Sequence, residues 1–258
     1  MGFLLLPALL MVIPIPFCAF LIKRLASFRH FKDTGWGNVM SDIAKYQRID
    51  GSQYRRVFVV GDIHGCLQQL NQALSALHFC ENEDLLLSVG DLIDRGEDSL
   101  SCLALINQPW FACVRGNHEQ MAIEAVRGQN VERWLRNGGD WFYKLTSADE
   151  ARARELITQA EQLPHIIEID TREGLTVIAH ADYPLTHYSR GQAVDAYEVI
   201  WSRQRLEDSK AGSVQPIDGA QRFFFGHTPV ENVQQFANQF YIDTGAVFEG
   251  KLTLLQIQ

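Results

Sequence analysis

Three times in succession a short apolar run ends in a polar, glycine-bearing loop, and a helical pattern follows. Residues 56–60 (RVFVV) run into GDIHG, residues 85–89 (LLLSV) into GDLIDRG, and residues 110–114 (WFACV) into RGNHE. β-branched and leucine-rich runs of this length read as buried strands. After the first loop, Leu67, Leu70, Ala73, Leu74 and Leu77 recur at helical spacing over residues 67–79. Residues 99–106, and the stretch after RGNHE through Val126, continue the alternation. Strand, loop and helix repeated in this way predict an α/β chain with a parallel sheet. In such sheets ligands bind at the carboxyl ends of the strands, where all three polar loops lie.

The second half turns to strands at residues 165–169, 175–179, 223–225, 240–242 and 252–257. Two of them deliver a histidine at the carboxyl end, His180 and His227. Residues 141–163 read as one charged helix stopped by Pro164. Residues 204–219, rich in Ser, Gly, Asp and Gln, read as a mobile surface segment.

The amino-terminal stretch is different. Residues 2–22 carry no charge and precede the basic group Lys23, Arg24, Arg29 and Lys32. The length approaches the ~20 residues of a membrane helix, and the following charges would leave the remainder in the cytoplasm. Pro7, Pro14 and Pro16 interrupt the run, and Met40 offers a second start. The expected division is therefore an extension over 1–39, read as a membrane segment or a misassigned start, and a catalytic domain over 40–258. A membrane is a partner only if residues 2–22 form such a segment. The net charge of −8 argues against a nucleic-acid partner. The five cysteines show no CxxC spacing and read as free thiols of a reducing, cytoplasmic compartment.

The loops supply Asp62, His64, Asp91, Asn117, His180 and His227. A mixed Asp, Asn and His set suits Mn²⁺, Fe²⁺ or Zn²⁺. Six such ligands exceed one tetrahedral site and suit two ions sharing a carboxylate. The blocks GDIHG, GDLIDRG, RGNHE, HA (180–181) and GHT (226–228) resemble those of the calcineurin-like metallophosphoesterases, in the phosphoprotein-phosphatase branch. The runs RIDGSQYRRVFVVGDIHG, VRGNHEQM, HADYP and YIDTGAVFEGKLTL are similar to the bacteriophage lambda group of protein phosphatases and its bacterial relatives. The resemblance covers Ala44 to the carboxyl end. It implies a metallophosphoesterase fold, with two mixed β-sheets in a central sandwich flanked by helices.

The resemblance also implies roles. Asp62 and His64 would bind one metal, Asp91 would bridge, and Asn117, His180 and His227 would complete the second. His118 would be the general acid, with Asp94 orienting it, and Arg95, Arg115 and Arg203 would bind the substrate phosphate. Manganese is the expected metal and phosphoproteins the expected substrates. The chemistry is coherent: two cations neutralise a phosphate dianion and activate a shared water, which attacks phosphorus directly, while an acid protonates the poor alkoxide leaving group. A dinucleoside polyphosphate hydrolase is the competing reading, favoured by GDIHGC and disfavoured by Asp94. His30, His78, His165 and His187 read as ordinary side chains, and Trp134, Trp141, Phe142 and Tyr143 as packing. Glu119 and Asp243 could support the ligands.

Overall fold

The computed structural model describes residues 43–258; the extension over 1–39 and the Met40 start lie outside the described residues. Two sheets face each other. The first has the order β10-β2-β3-β4, in which β2 (Arg56–Val60), β3 (Asp84–Ser88) and β4 (Phe111–Cys113) run parallel and β10 (Leu254–Gln256) is antiparallel. The second has the order β1 (Tyr46–Asp50), β5 (Ile166–Thr171), β6, β7, β9 and β8 (Gln234–Phe236), and it is mixed. Its central strands β6 (Gly174–Ala179), β7 (Arg222–Phe225) and β9 (Gln239–Tyr241) are mutually parallel.

Side-chain alternation explains the continuous apolar runs. In β2, Val57 and Val59 point into the sandwich, where they meet Leu85, Leu87, Ile167, Ile178 and Phe224. Phe58 and Val60 point the other way, into a layer built with Leu70, Leu103, Met121 and Leu156 from the helices. The strand is thus buried on both faces, so it has no polar side to alternate with. A third apolar layer covers the outer face of the second sheet, with Val177, Phe223 and Phe225 against Tyr183, Tyr188 and Val199.

Helices α1 (Leu67–Ala76), α2 (Ser99–Ala104) and α3 (Asn117–Val126) follow the three polar loops as the pattern predicts. After α4 (Val131–Arg136) comes a correction. Residues 141–163 are not one helix: 3₁₀ turns occupy Gly139–Lys144, and α5 begins afresh at Ser147–Ala160. Thr146 explains the break, because its extended backbone and side-chain oxygen cap α5 by accepting from Asp149 N–H at 3.2 Å. Residues 204–219 also differ from expectation. They open with a helix (Gln204–Lys210), and Ile217 is fully buried, with Asn238 donating to its carbonyl at 2.8 Å. The edge strands β1 (Tyr46–Asp50) and β8 (Gln234–Phe236) and the helix Ala196–Trp201 are additional elements. Among the described residues, no helix is long and apolar enough to cross a membrane.

Candidate metal centre

The parallel strands of both sheets end at one place. β2 delivers Asp62 and His64, β3 delivers Asp91, and Asn117 opens α3 just after β4; β6 and β7 deliver His180 and His227. The loops are laced together. Ile63 and His64 N–H donate to the Asp91 carbonyl at 3.1 and 2.9 Å, and Gly65 N–H donates to Leu92 at 2.8 Å. Glu119, in the first turn of α3, accepts from Asp91, Leu92 and Gly116 N–H at 3.0, 2.8 and 2.9 Å. It thus holds the second loop against the third, the supporting role its position suggested. His64, Asp91, Asp94, Arg95 and His227 all sit at positive φ, five of the eight non-glycine residues that do so among those described. Backbone strain concentrated in this way marks loops that are over-determined by their surroundings. Gly116 and Gly226 have no room for a side chain: a Cβ would collide with Asp91 Oδ1 and Asp62 Oδ1 respectively.

The donor atoms converge. Asp91 Oδ2 lies 3.7 Å from His64 Nε2 and 3.4 Å from His180 Nε2. Two groups, His64–Asp91–His118 and Asp91–His180–His227, each bring their ligand atoms within 4.8 Å of one another, and Asp91 belongs to both. Asn117 Oδ1 is 2.8 Å from His180 Nε2 and 2.7 Å from His227 Nδ1. His180 Nδ1 must carry a proton, because its partner at 2.7 Å is the Val89 carbonyl. Its Nε2 then meets an amide oxygen, a pair of acceptors that a proton or a shared cation reconciles. Burial is the largest influence and opposes that proton, but Asp91, the Val89 carbonyl and Glu119 together raise the His180 pKa. Asp62 is placed differently from the rest. It accepts from His227 N–H at 3.0 Å and lies beside the cluster.

Charge balance points the same way. Asp62, Asp91, Glu119 and Asp243 are all buried. Burial, then Asp243 and Asp91, raises the Asp62 pKa well above the carboxylate range. Burial and Asp91 push Glu119 up to about 7. Burial would raise Asp91 too, but the imidazoles of His180, His118 and His64 hold it low. His64 and His227 fall to about 3, chiefly through burial, and so offer neutral lone pairs. Mutually repelling buried carboxylates beside neutral imidazoles form a donor set that fits divalent cations.

The profile of the calcineurin-like phosphoesterases matches residues 55–231, more than half of the chain. This chain belongs to that family. It is 51% identical over 213 residues to serine/threonine-protein phosphatase 1 of Salmonella typhimurium, covering 83% of this chain and 97% of that protein. It is 28% identical to an asymmetrical bis(5'-nucleosyl)-tetraphosphatase of Geobacillus thermodenitrificans, over 77% of this chain and 89% of the relative. A solved serine/threonine phosphatase of Saccharomyces cerevisiae shares the fold, with a TM-score of 0.53 at 15% identity, over 78% of this chain and 71% of that one.

In this phosphoesterase, two of the three expected arginines flank the cluster. Arg95 Nη1 donates to His64 Nε2 at 2.6 Å, and Arg203 Nε donates to His227 Nε2 at 3.3 Å. Arg115 does not join them. Its guanidinium donates to Gln120 Oε1 at 3.0 Å and to the Glu161 carbonyl, and its backbone N–H bonds Pro164. Through these bonds it pins the turn after α5. His118 Nδ1 meets Asp94 Oδ2 at 2.6 Å.

The aromatic cluster is more than packing. Trp141 Nε1 donates to Asp94 Oδ1 at 2.7 Å, and Trp134 Nε1 donates to Asp94 Oδ2 at 2.9 Å. A buried indole needs an acceptor, and Asp94 is a buried acceptor with room for several donors. Asp243 caps its own turn by accepting from Gly245 N–H at 3.0 Å while adding charge next to Asp62. His165 Nδ1 accepts from Lys45 N–H at 2.9 Å, and His187 is exposed; neither joins the site.

Proposed function

We propose that this phosphoesterase is a metal-dependent protein phosphatase that hydrolyses phosphoserine and phosphothreonine monoesters. The observation that carries the reading is the buried Asp94–His118 pair, set against the shared Asp91 cluster. An acid held in this way serves a poor leaving group such as a serine or threonine alkoxide. Asp62, His64, Asp91, Asn117, His180 and His227 are the proposed ligands of two divalent ions. When bound, the ions would neutralise phosphate charge and lower the pKa of a shared water. Manganese fits the mixed oxygen and imidazole donors. We place the catalytic chain in the cytoplasm on the strength of its free thiols at Cys66, Cys80, Cys102 and Cys113.

The protein's own groups then have definite tasks. Arg95 and Arg203 flank the cluster and offer planar N–H pairs that match phosphate oxygens. His118 donates its Nδ1–H to Asp94 Oδ2, so Nε2, 3.9 Å from Asp91 Oδ2, faces the cluster, and in the imidazolium form it carries the proton destined for the leaving oxygen. Three donors surround Asp94: His118, Trp134 and Trp141. Burial raises the Asp94 pKa, and these donors oppose that rise, keeping a carboxylate available to orient the imidazole.

Two outcomes follow. With added Mn²⁺, kcat/KM for a phosphothreonine peptide is expected to exceed that for diadenosine tetraphosphate by about tenfold or more, worth about 1.4 kcal/mol. A chelator should abolish both. Preference for the dinucleotide would instead group the chain with the tetraphosphatases. Trp141→Phe removes a charge-assisted bond worth about 1.5–3 kcal/mol. Roughly tenfold of kcat should be lost on a phosphothreonine peptide, and much less on p-nitrophenyl phosphate, whose leaving group needs little protonation. Equal losses on both would make Trp141 a packing residue only.

A further inference from the structure

A third guanidinium stands beside the two that flank the cluster. Arg133 is half-buried on α4, with Cζ 4.2 Å from the ring centre of Trp201. Trp201, the last residue of the helix Ala196–Trp201, sets its ring edge against His227 with centres 6.0 Å apart. His227 in turn accepts from Arg203. Arg133 therefore lies one indole beyond the ligand that Arg203 touches. Among the described residues no carboxylate or carbonyl takes its N–H groups, whereas Arg136 on the same helix reaches the Glu132 carbonyl at 3.3 Å. A guanidinium laid flat on an indole keeps its N–H donors in plane and free to meet an anion bidentately.

Geometry separates this group from the phosphate itself. Arg95 serves the His64 side of the cluster and Arg203 the His227 side. One phosphate bound between them has its oxygens taken. The Trp201 ring stands between Arg133, 4.2 Å from its centre, and His227, 6.0 Å from its centre, a separation that up to about three residues of extended peptide at ~3.3–3.6 Å each can span. Tyr197, 58% exposed, stacks on Trp201 with centres 6.0 Å apart. The chain as a whole carries a net charge of −8, so an unpaired cation at this rim is a local exception that attracts anionic substrate segments.

We infer that Arg133, stacked on Trp201, is an anion subsite that reads a carboxylate or second phosphate close in sequence to the phosphorylated residue. The inference rests on the protein-phosphatase reading and names its preferred substrate class: acidic or multiply phosphorylated segments.

The test compares three phosphothreonine peptides that differ only in the residues flanking phosphothreonine: alanine, glutamate or phosphoserine. An exposed, well-aligned ion pair is worth up to about 1 kcal/mol, so the wild-type, Mn²⁺-loaded enzyme should favour the glutamate peptide over the alanine peptide by about fivefold in kcat/KM. The phosphoserine peptide shows whether a doubly charged neighbour is preferred. Arg133→Gln should bring both ratios to about one, and Arg133→Lys should keep part of them. Raising the salt should shrink the wild-type ratio, because exposed pairs are screened. Arg136→Gln, on the same helix, should leave the ratios alone. Equal kcat/KM on all three peptides in the wild type would overturn the subsite, as would ratios that survive Arg133→Gln. Failure of the underlying reading looks different: no peptide would be hydrolysed, although p-nitrophenyl phosphate still was.

Discussion

His118→Asn is expected to lower kcat on a phosphothreonine peptide by about 10²–10⁴-fold while metal content stays at the wild-type level. The side chain contributes to the site through its ring alone. Its backbone N–H caps Asp91 Oδ1 at 3.0 Å, and that bond survives substitution. The proposed ligands Asn117, His180 and His227 keep their mutual contacts at 2.7–2.8 Å. What disappears is the proton at Nε2. A threonine alkoxide cannot leave without one, whereas a nitrophenolate can, so p-nitrophenyl phosphate should lose far less. A series of aryl and alkyl phosphates measures this as a steeper dependence of kcat on leaving-group basicity. A uniform loss across the series would remove His118 from the acid role. Asp94→Asn should show the same signature, and the double variant should be little worse than His118→Asn, because groups that act as a unit are not additive.

That pair also shows what the sequence made legible. The proposed ligand loops could be found because each follows a largely apolar strand, and RVFVV is apolar from Val57 to Val60 because β2 is buried on both faces. Parallel order then places every such loop at one edge. Long-range partners are a different matter. Trp134 and Trp141 lie 40 and 47 positions from Asp94, and no spacing rule connects them. Arg115 hid its partners for the opposite reason. It directly precedes Gly116 and Asn117, yet adjacency along the chain does not say which way a side chain turns, and the Glu161 carbonyl claimed it. The polar edge strands Tyr46–Asp50 and Gln234–Phe236 were invisible because an edge needs little apolar surface. The helix at Gln204–Lys210 was hidden by a composition that also suits loops, and only the buried Leu206 betrays it.

Asp62→Asn should separate the cost of building the metal centre from its use. In the metal-free protein Asp62 is buried with Asp243 and Asp91, and their repulsion together with desolvation disfavours its charge. An amide of the same shape still offers one oxygen to His227 N–H, which Asp62 holds at 3.0 Å, and presents donors to the neighbouring carboxylates. The metal-free variant is therefore expected to melt higher than the metal-free wild type, by about 2–4 °C for each kcal/mol of repulsion relieved. Mn²⁺ should reverse the order. The wild type gains stability from every ion that binds only the folded state, while the variant, short of one anionic ligand, gains less. Activity at fixed Mn²⁺ should fall about 100-fold or more, because a displaced ion weakens both phosphate neutralisation and activation of the water. Thermal melts with Mn²⁺ and with chelator, together with metal analysis, decide the matter. A variant that melts lower without metal yet retains two ions would show that Asp62 serves the fold by capping His227. The first metal would then have to be held by His64 and Asp91 without it.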